Sequence, residues 1–177
     1  MTPAPPILTT TRLALRGFRL DDAELMLAVW NTPEFLRFVA DRGIRTEAAA
    51  CDALIAGPIA TWQEFGYGPF RVGLIDGPGI GICGLFRRAE LAVPDLGVAL
   101  LPEYYGQGYG GEAAGAVLRY CDEVLALPRV QAIVAPDNVA SCAMLRRLDF
   151  ISDGDIEIGD ASIKLFSRTR PEVPAMN

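Results

Sequence analysis

Apolar and polar positions change period several times along the chain, and each change marks an element. In residues 11–16, Leu13 and Leu15 alternate with their neighbours, the period-two pattern of a strand. Leu20, Asp21 and Asp22 then open a helical pattern whose apolar positions are Leu25, Met26, Val29 and Trp30. Residues 46–65 return to helical spacing with Thr46 placed to cap the first turn. Gly57-Pro58 must kink or split this helix, because proline lacks a donor and crowds the turn before it. The apolar runs at residues 70–75 and 80–86 flank Asp76-Gly77-Pro78-Gly79 and are expected as two strands joined by a turn.

The second half repeats the alternation of strand and helix. Asp95–Leu100 reads as a strand. After a glycine-rich connection comes a helix to about Leu125, in which Ala114, Val117, Leu118, Cys121 and Leu125 form one buried face. A continuous apolar strand at residues 130–135, a helix at 138–148 and two closing strands at 150–158 and 162–167 complete the pattern. No repeat, low-complexity tract or linker interrupts it. The expectation is a single domain over residues 11–169, between a proline-led, disordered stub at 1–10 and a short tail at 170–177.

Composition narrows the chemistry. Half of the 177 residues are apolar, enough for a substantial core, yet no apolar run is long enough to span a membrane. No basic, apolar leader opens the chain, so the cytoplasm is the expected compartment. Histidine is absent, which removes Ser-His and Cys-His nucleophile pairs and most transition-metal sites. Cys51, Cys83, Cys121 and Cys142 are too widely spaced for a zinc or dithiol motif and are expected as reduced, buried thiols. Acid–base work must therefore fall to carboxylates, Tyr, Ser, Lys or water. A net charge of −6 disfavours a nucleic-acid partner and suits a cationic one such as an amine.

The most specific signal is the run from Pro102 to Ala113, where Gly106, Gly108, Gly110 and Gly111 lie between strand and helix. Glycines let backbone N–H groups approach a ligand, and the following helix offers free donors and the positive end of its dipole, which together make a pyrophosphate cradle. The letters also satisfy G-x-G-x-x-G. However, Pro102 to Tyr105 intervene after the strand, and too little chain remains for a doubly wound dinucleotide fold. A P-loop is excluded because no Lys-Ser/Thr follows the last glycine.

Three segments together resemble the GNAT superfamily of acyl-CoA-dependent N-acetyltransferases over nearly the whole chain. Thr11-Arg12-Leu13-Ala14-Leu15-Arg16, followed by Leu20-Asp21-Asp22-Ala23, is similar to the opening of the branch that acetylates ribosomal-protein N-termini. Gly106-Gln107-Gly108-Tyr109-Gly110 is similar to the family's acyl-CoA loop, with Tyr105 where Gln or Arg is usual. Asn138-Val139-Ala140-Ser141 with Leu145, Leu148 and Phe150 is similar to its late N-x-x-S helix, with Asp149 in place of the usual glycine, a substitution that requires a left-handed residue there.

The resemblance implies an α/β (α+β) fold: a mixed, mostly antiparallel sheet, splayed at the acyl-CoA site, with helices on both faces. It implies acetyl-CoA, or another short acyl-CoA, as co-substrate, gripped by Tyr105 through Gly111 and by Asn138 and Ser141. The pantetheine arm would pair with backbone at Val98, Ala99 and Leu100, whose N–H groups would also serve the oxyanion. A primary amine would attack the thioester directly, either a protein N-terminus or a small-molecule amine. Ser141 is the candidate proton donor to the thiolate, against simple hydrogen bonding within its helix. Asp95 is the candidate base, with Glu90 and Glu103 behind it, against plain surface charge. Asn138 serves equally as a helix cap, and Tyr104 as a core aromatic. Arg119, Arg146 and Arg147 are candidates for the 3′-phosphate, and Cys142 is expected to be inert. No motif constrains the acceptor-binding loops, expected at residues 31–45 and 64–68, and a homodimer remains compatible with the sequence. A binding domain without turnover is the competing reading.

Overall fold

The computed structural model describes Pro5 and residues 7–172. Among these residues, eight strands form one sheet in the order β1-β2-β3-β4-β5-β6-β8-β7, comprising β1 (Leu8–Thr9), β2 (Leu13–Arg16), β3 (Pro69–Leu74), β4 (Gly79–Phe86), β5 (Asp95–Leu100), β6 (Arg129–Val134), β7 (Ile151–Ile158) and β8 (Ala161–Thr169). Every neighbouring pair is antiparallel except β5 and β6. These two meet at one register pair, Asp95 with Gln131, and beyond it they part. From Leu96 onward β5 has a ladder only on its β4 side, so its other edge opens into a cleft.

β1 corrects one expectation. Leu8 and Thr9 fall inside the stub taken as disordered, yet they pair with Leu15 and Ala14. Residues 1–4, 6 and 173–177, the remainder of the expected stub and most of the tail, lie outside the described residues.

Among the described residues, six α-helices cover the sheet: α1 (Ala23–Trp30), α2 (Pro33–Phe38), α3 (Glu47–Leu54), α4 (Ala60–Phe65), α5 (Tyr109–Glu123) and α6 (Val139–Arg147). Side chains alternate across each strand, and β4 shows the consequence. Ile82 joins a cluster with Met26, Trp30 and Leu54 of α1 and α3, whereas Cys83 joins Val117 and Cys121 of α5 on the opposite face. Between α3 and α4, residues Ile55–Ile59 form a π-helical turn containing Pro58. The missing proline donor is absorbed by widening the helix instead of ending it.

Helix α2 was not anticipated. It begins where Thr32 accepts a hydrogen bond from the Phe35 N–H and Pro33 occupies the first turn, a local start signal inside a segment read as loop. At the other end of the chain the structure supplies what Asp149 requires: its φ is +64°, and the Asp149 and Phe150 N–H groups close the end of α6 onto Arg146 and Leu145 carbonyls.

Candidate active site

The glycine run forms the N-terminal end of α5. Pro102–Tyr104 make one 3-10 turn, then Gly106 and Gly108 take φ of +72° and +82°, backbone that a residue with a Cβ adopts only under strain. Gly108 is the N-cap. The first helical bond runs from the Glu112 N–H to the Gly108 carbonyl, which leaves the donors of Tyr109, Gly110 and Gly111 without intrahelical acceptors. A Cβ added at Gly106 would meet nothing within 4 Å, and one at Gly108 only an Arg12 nitrogen at 3.5 Å. The geometry is that of an open anion cradle.

What holds the cradle is a tie to the sheet edge that sequence reasoning missed. The Glu112 carboxylate accepts from the Thr10 hydroxyl at 2.5 Å, the Arg12 N–H at 3.0 Å and the Arg12 Nε at 2.7 Å. Arg12 Nη1 donates to the Gln107 carbonyl at 3.0 Å, and the guanidinium lies 4.3 Å from the Tyr109 ring centroid. Burial works against the Glu112 charge, but the hydrogen bonds from Thr10 and Arg12 together outweigh it and hold the carboxyl below its ordinary value. The sequence signal was an acid in the first turn after the glycines, a hundred residues from its partner.

A cavity of about 610 Å³ fills the cleft between β5 and β6. Val98, Ala99, Asn138, Ser141, Asp95 and Glu90 all line it, so the structure brings both catalytic candidates and part of the expected cofactor contacts to one cavity. Leu100 is buried and does not reach it, and the glycine loop lies outside it. Asn138 is the cap of α6, its side-chain oxygen accepting from the Ser141 N–H at 3.1 Å. The Ser141 hydroxyl makes no protein hydrogen bond among the described residues and faces the cavity wall unspent, unlike Thr61, whose hydroxyl bonds back to Gly57.

Asp95 is neither surface charge nor free. It is 1% exposed, with Oδ2 held by Arg88 Nε at 2.9 Å and Oδ1 without a partner among the described residues. Burial pushes its carboxyl up, against the opposing pull of Arg88. Glu103 is outside the cavity, on an exposed turn whose carbonyl accepts from Gln107.

Other candidates lie outside the cavity, wholly or in part. Tyr105 does not line the cavity. Burial raises its phenol, Glu34 adds to that, and a hydrogen bond with Thr32 opposes it, which places the ring beside α2. Arg119 is exposed ten residues into α5, about 15 Å of rise from the cradle, and Arg146 and Arg147 occupy the last turn of α6. Of the acceptor segments, residues 31–45 contribute Phe35, Phe38, Val39, Ala40 and Arg42 to the cavity. Residues 64–68 contribute nothing to it; Phe65 and Tyr67 stack on each other at 5.7 Å instead.

The family model described as an acetyltransferase (GNAT) domain matches residues 12–151. The chain belongs to the GNAT acetyltransferase family. It is thereby an N-acetyltransferase, and the dinucleotide reading of the glycine run is overturned, since a mostly antiparallel sheet cannot be a doubly wound one. Among relatives, the uncharacterized N-acetyltransferase YoaA of Bacillus subtilis (strain 168) is 29% identical over 153 residues, covering 84% of this chain and 85% of the relative. The acetyltransferase from Agrobacterium tumefaciens str. C58 superposes with a TM-score of 0.80 at 25% identity, covering 95% of this chain and 96% of that one. RimL, a ribosomal L7/L12 alpha-N-protein acetyltransferase solved in complex with coenzyme A, shares the GNAT fold at 16% identity, with a TM-score of 0.80 over 93% of this chain and 98% of that one.

All four cysteines of this GNAT domain are free thiols. Cys83, Cys121 and Cys142 are buried, and Cys51 is half-buried. Burial pushes the Cys121 thiol up to about 12 and Cys83 higher still, so neither forms a thiolate near neutrality. No helix among the described residues is long and apolar enough to cross a membrane.

Proposed function

We propose that the chain transfers an acetyl group from acetyl-CoA to a primary amine by direct attack, with both substrates bound at once. The observation that carries this is the cleft beyond the Asp95–Gln131 pair, where the edge of β5 that lacks a strand partner, the unspent Ser141 hydroxyl and buried Asp95 share one cavity. The open cradle at Gly106–Gly108 fits the pyrophosphate of coenzyme A, which RimL, of the same fold, carries in its solved complex. On the acetyl side, the backbone N–H of Val98, on the β5 edge that lacks a strand partner, stabilises the oxyanion that develops on the thioester carbonyl oxygen. Ser141 gives a proton to the departing thiolate, and Asp95, through water, takes one from the amine. The opening motif of residues 11–23 supports a protein N-terminus as acceptor.

The test is calorimetry with acetyl-CoA against NAD, followed by mass-spectrometric scoring of acetylated products over peptides, polyamines, amino acids and aminoglycosides. The expected result is acetyl-CoA binding, no NAD binding, and transfer to at least one amine. Binding with no transfer to any acceptor would leave a binding domain without turnover.

A further inference from the structure

The arginines between residues 37 and 45 are not partnered alike. Arg37 pairs with Asp137 at 2.7 Å, and Arg45 meets both oxygens of Asp41 at 2.7 Å. Arg42 has no carboxylate partner among the described residues. Its guanidinium lies 4.9 Å from the ring centroid of Trp30, which is 2% exposed and holds the cation at the cavity wall.

Two more arginines line the same cavity. Arg88 spends Nε on Asp95, and Arg87 donates Nη1 to the Leu91 carbonyl at 3.1 Å. Against Arg42, Arg87 and Arg88 the lining offers two carboxylates, Glu90 and Asp95. The proximity registers on Arg42 itself, whose hold on its proton is weakened by burial and by the charge of Arg88. The chain as a whole carries −6, so this positive excess is local, and it reverses what net charge suggested about the acceptor. An alkylammonium or polyamine entering here would meet like charge. An amine bearing its own anion would find an unpaired, planar donor group matched to it.

We propose that the acceptor is an amine that also carries a carboxylate, and that Arg42 receives that carboxylate. The inference rests on the acetyl-transfer reading above. The shared chemistry has two sources, a peptide N-terminus followed by Asp or Glu, or a free amino dicarboxylic acid.

The test uses the full chain and peptides matched in length that begin Ser-Asp-Glu, Ser-Asn-Gln or Ser-Lys-Arg, with aspartate and glutamate run against alkylamines as the small-molecule arm. The expected result is a kcat/KM at least tenfold higher for acidic than for neutral acceptors. Arg42→Gln cuts that ratio at least fivefold, Arg42→Lys restores part of it, and Arg42→Glu turns the preference toward Ser-Lys-Arg, all with acetyl-CoA affinity retained. Equal or better transfer to neutral or basic acceptors, or an undiminished acidic preference in Arg42→Gln, overturns the inference and leaves acetyl transfer standing. If no acceptor turns over, calorimetry of the same peptides on coenzyme-A-saturated protein reads the preference directly, and its absence overturns the inference equally. Failure to bind acetyl-CoA strikes the functional reading instead.

Discussion

Removing Glu112 tests whether the glycine cradle is held ready by the sheet edge. Its carboxylate collects bonds from Thr10 Oγ1, the Arg12 N–H and Arg12 Nε, plus Arg12 Nη2 at 2.6 Å. An isolated exposed ion pair is worth about 0.2–1 kcal/mol, whereas a hydrogen bond to a buried charge reaches about 1.5–3 kcal/mol. With the side chains 42% and 20% exposed for Arg12 and Glu112, solvent screens much of the Coulomb term. A total near 2 kcal/mol is the reasonable figure for the whole tie. Glu112→Ala releases Arg12 from both Glu112 and its aim at Gln107. The loop must then be ordered by the ligand, and that cost comes out of acetyl-CoA binding. The expected result is a fall in acetyl-CoA affinity of roughly tenfold or more, with kcat within about twofold because the tie is remote from the reacting atoms. Glu112→Gln, which keeps an acceptor oxygen, recovers part. Because the folded carboxyl lies below its ordinary value, the tie is fully present above the unfolded value and is lost as pH falls through the folded one, so the parent's affinity advantage shrinks in acid. Parental affinity in a folded Glu112→Ala variant would refute the reasoning.

Three further outcomes concern the reacting end of the cleft. Ser141→Ala should lower kcat and kcat/KM together by about tenfold or more while acetyl-CoA affinity stays near parental, and an unchanged kcat would return the hydroxyl to a structural role. Asp95→Asn should lower kcat/KM near neutrality, with partial recovery at higher pH as more acceptor becomes free amine; coincident profiles would remove Asp95 as the base. Its stability effect has the opposite sign to an ordinary paired acid. Burial raises the folded Asp95 carboxyl, so its favourable linkage is present below the ordinary value and lost as pH rises through the folded one. Asn keeps the neutral shape, and Arg88, 38% exposed, can be solvated once released. The variant should therefore melt no lower than the parent at neutral pH.

The elements whose order the sequence determined are those with a local cause. Leu13 and Leu15 alternate because one face of β2 is buried. Gly106 and Gly108 mark backbone that only glycine adopts freely, and Asp149 lies in the left-handed region as its position demanded. Helix α2 was equally local, announced by Thr32-Pro33, and was overlooked. The remainder depended on contacts across long stretches of chain. Whether Asp95 is a solvated charge or a buried one is decided by where β5 meets β6 and by Arg88 on the preceding connection, and no periodicity encodes that meeting. Glu112 finds Thr10 and Arg12 a hundred residues away only after the sheet has brought its first strands beside α5. The cavity's surplus of arginines runs against the net charge of the chain, because composition sums charges that the fold then separates. Sequence constrains what each residue can do on its own backbone, while the pairing of charges in a low-dielectric cleft is a property of the assembled sheet.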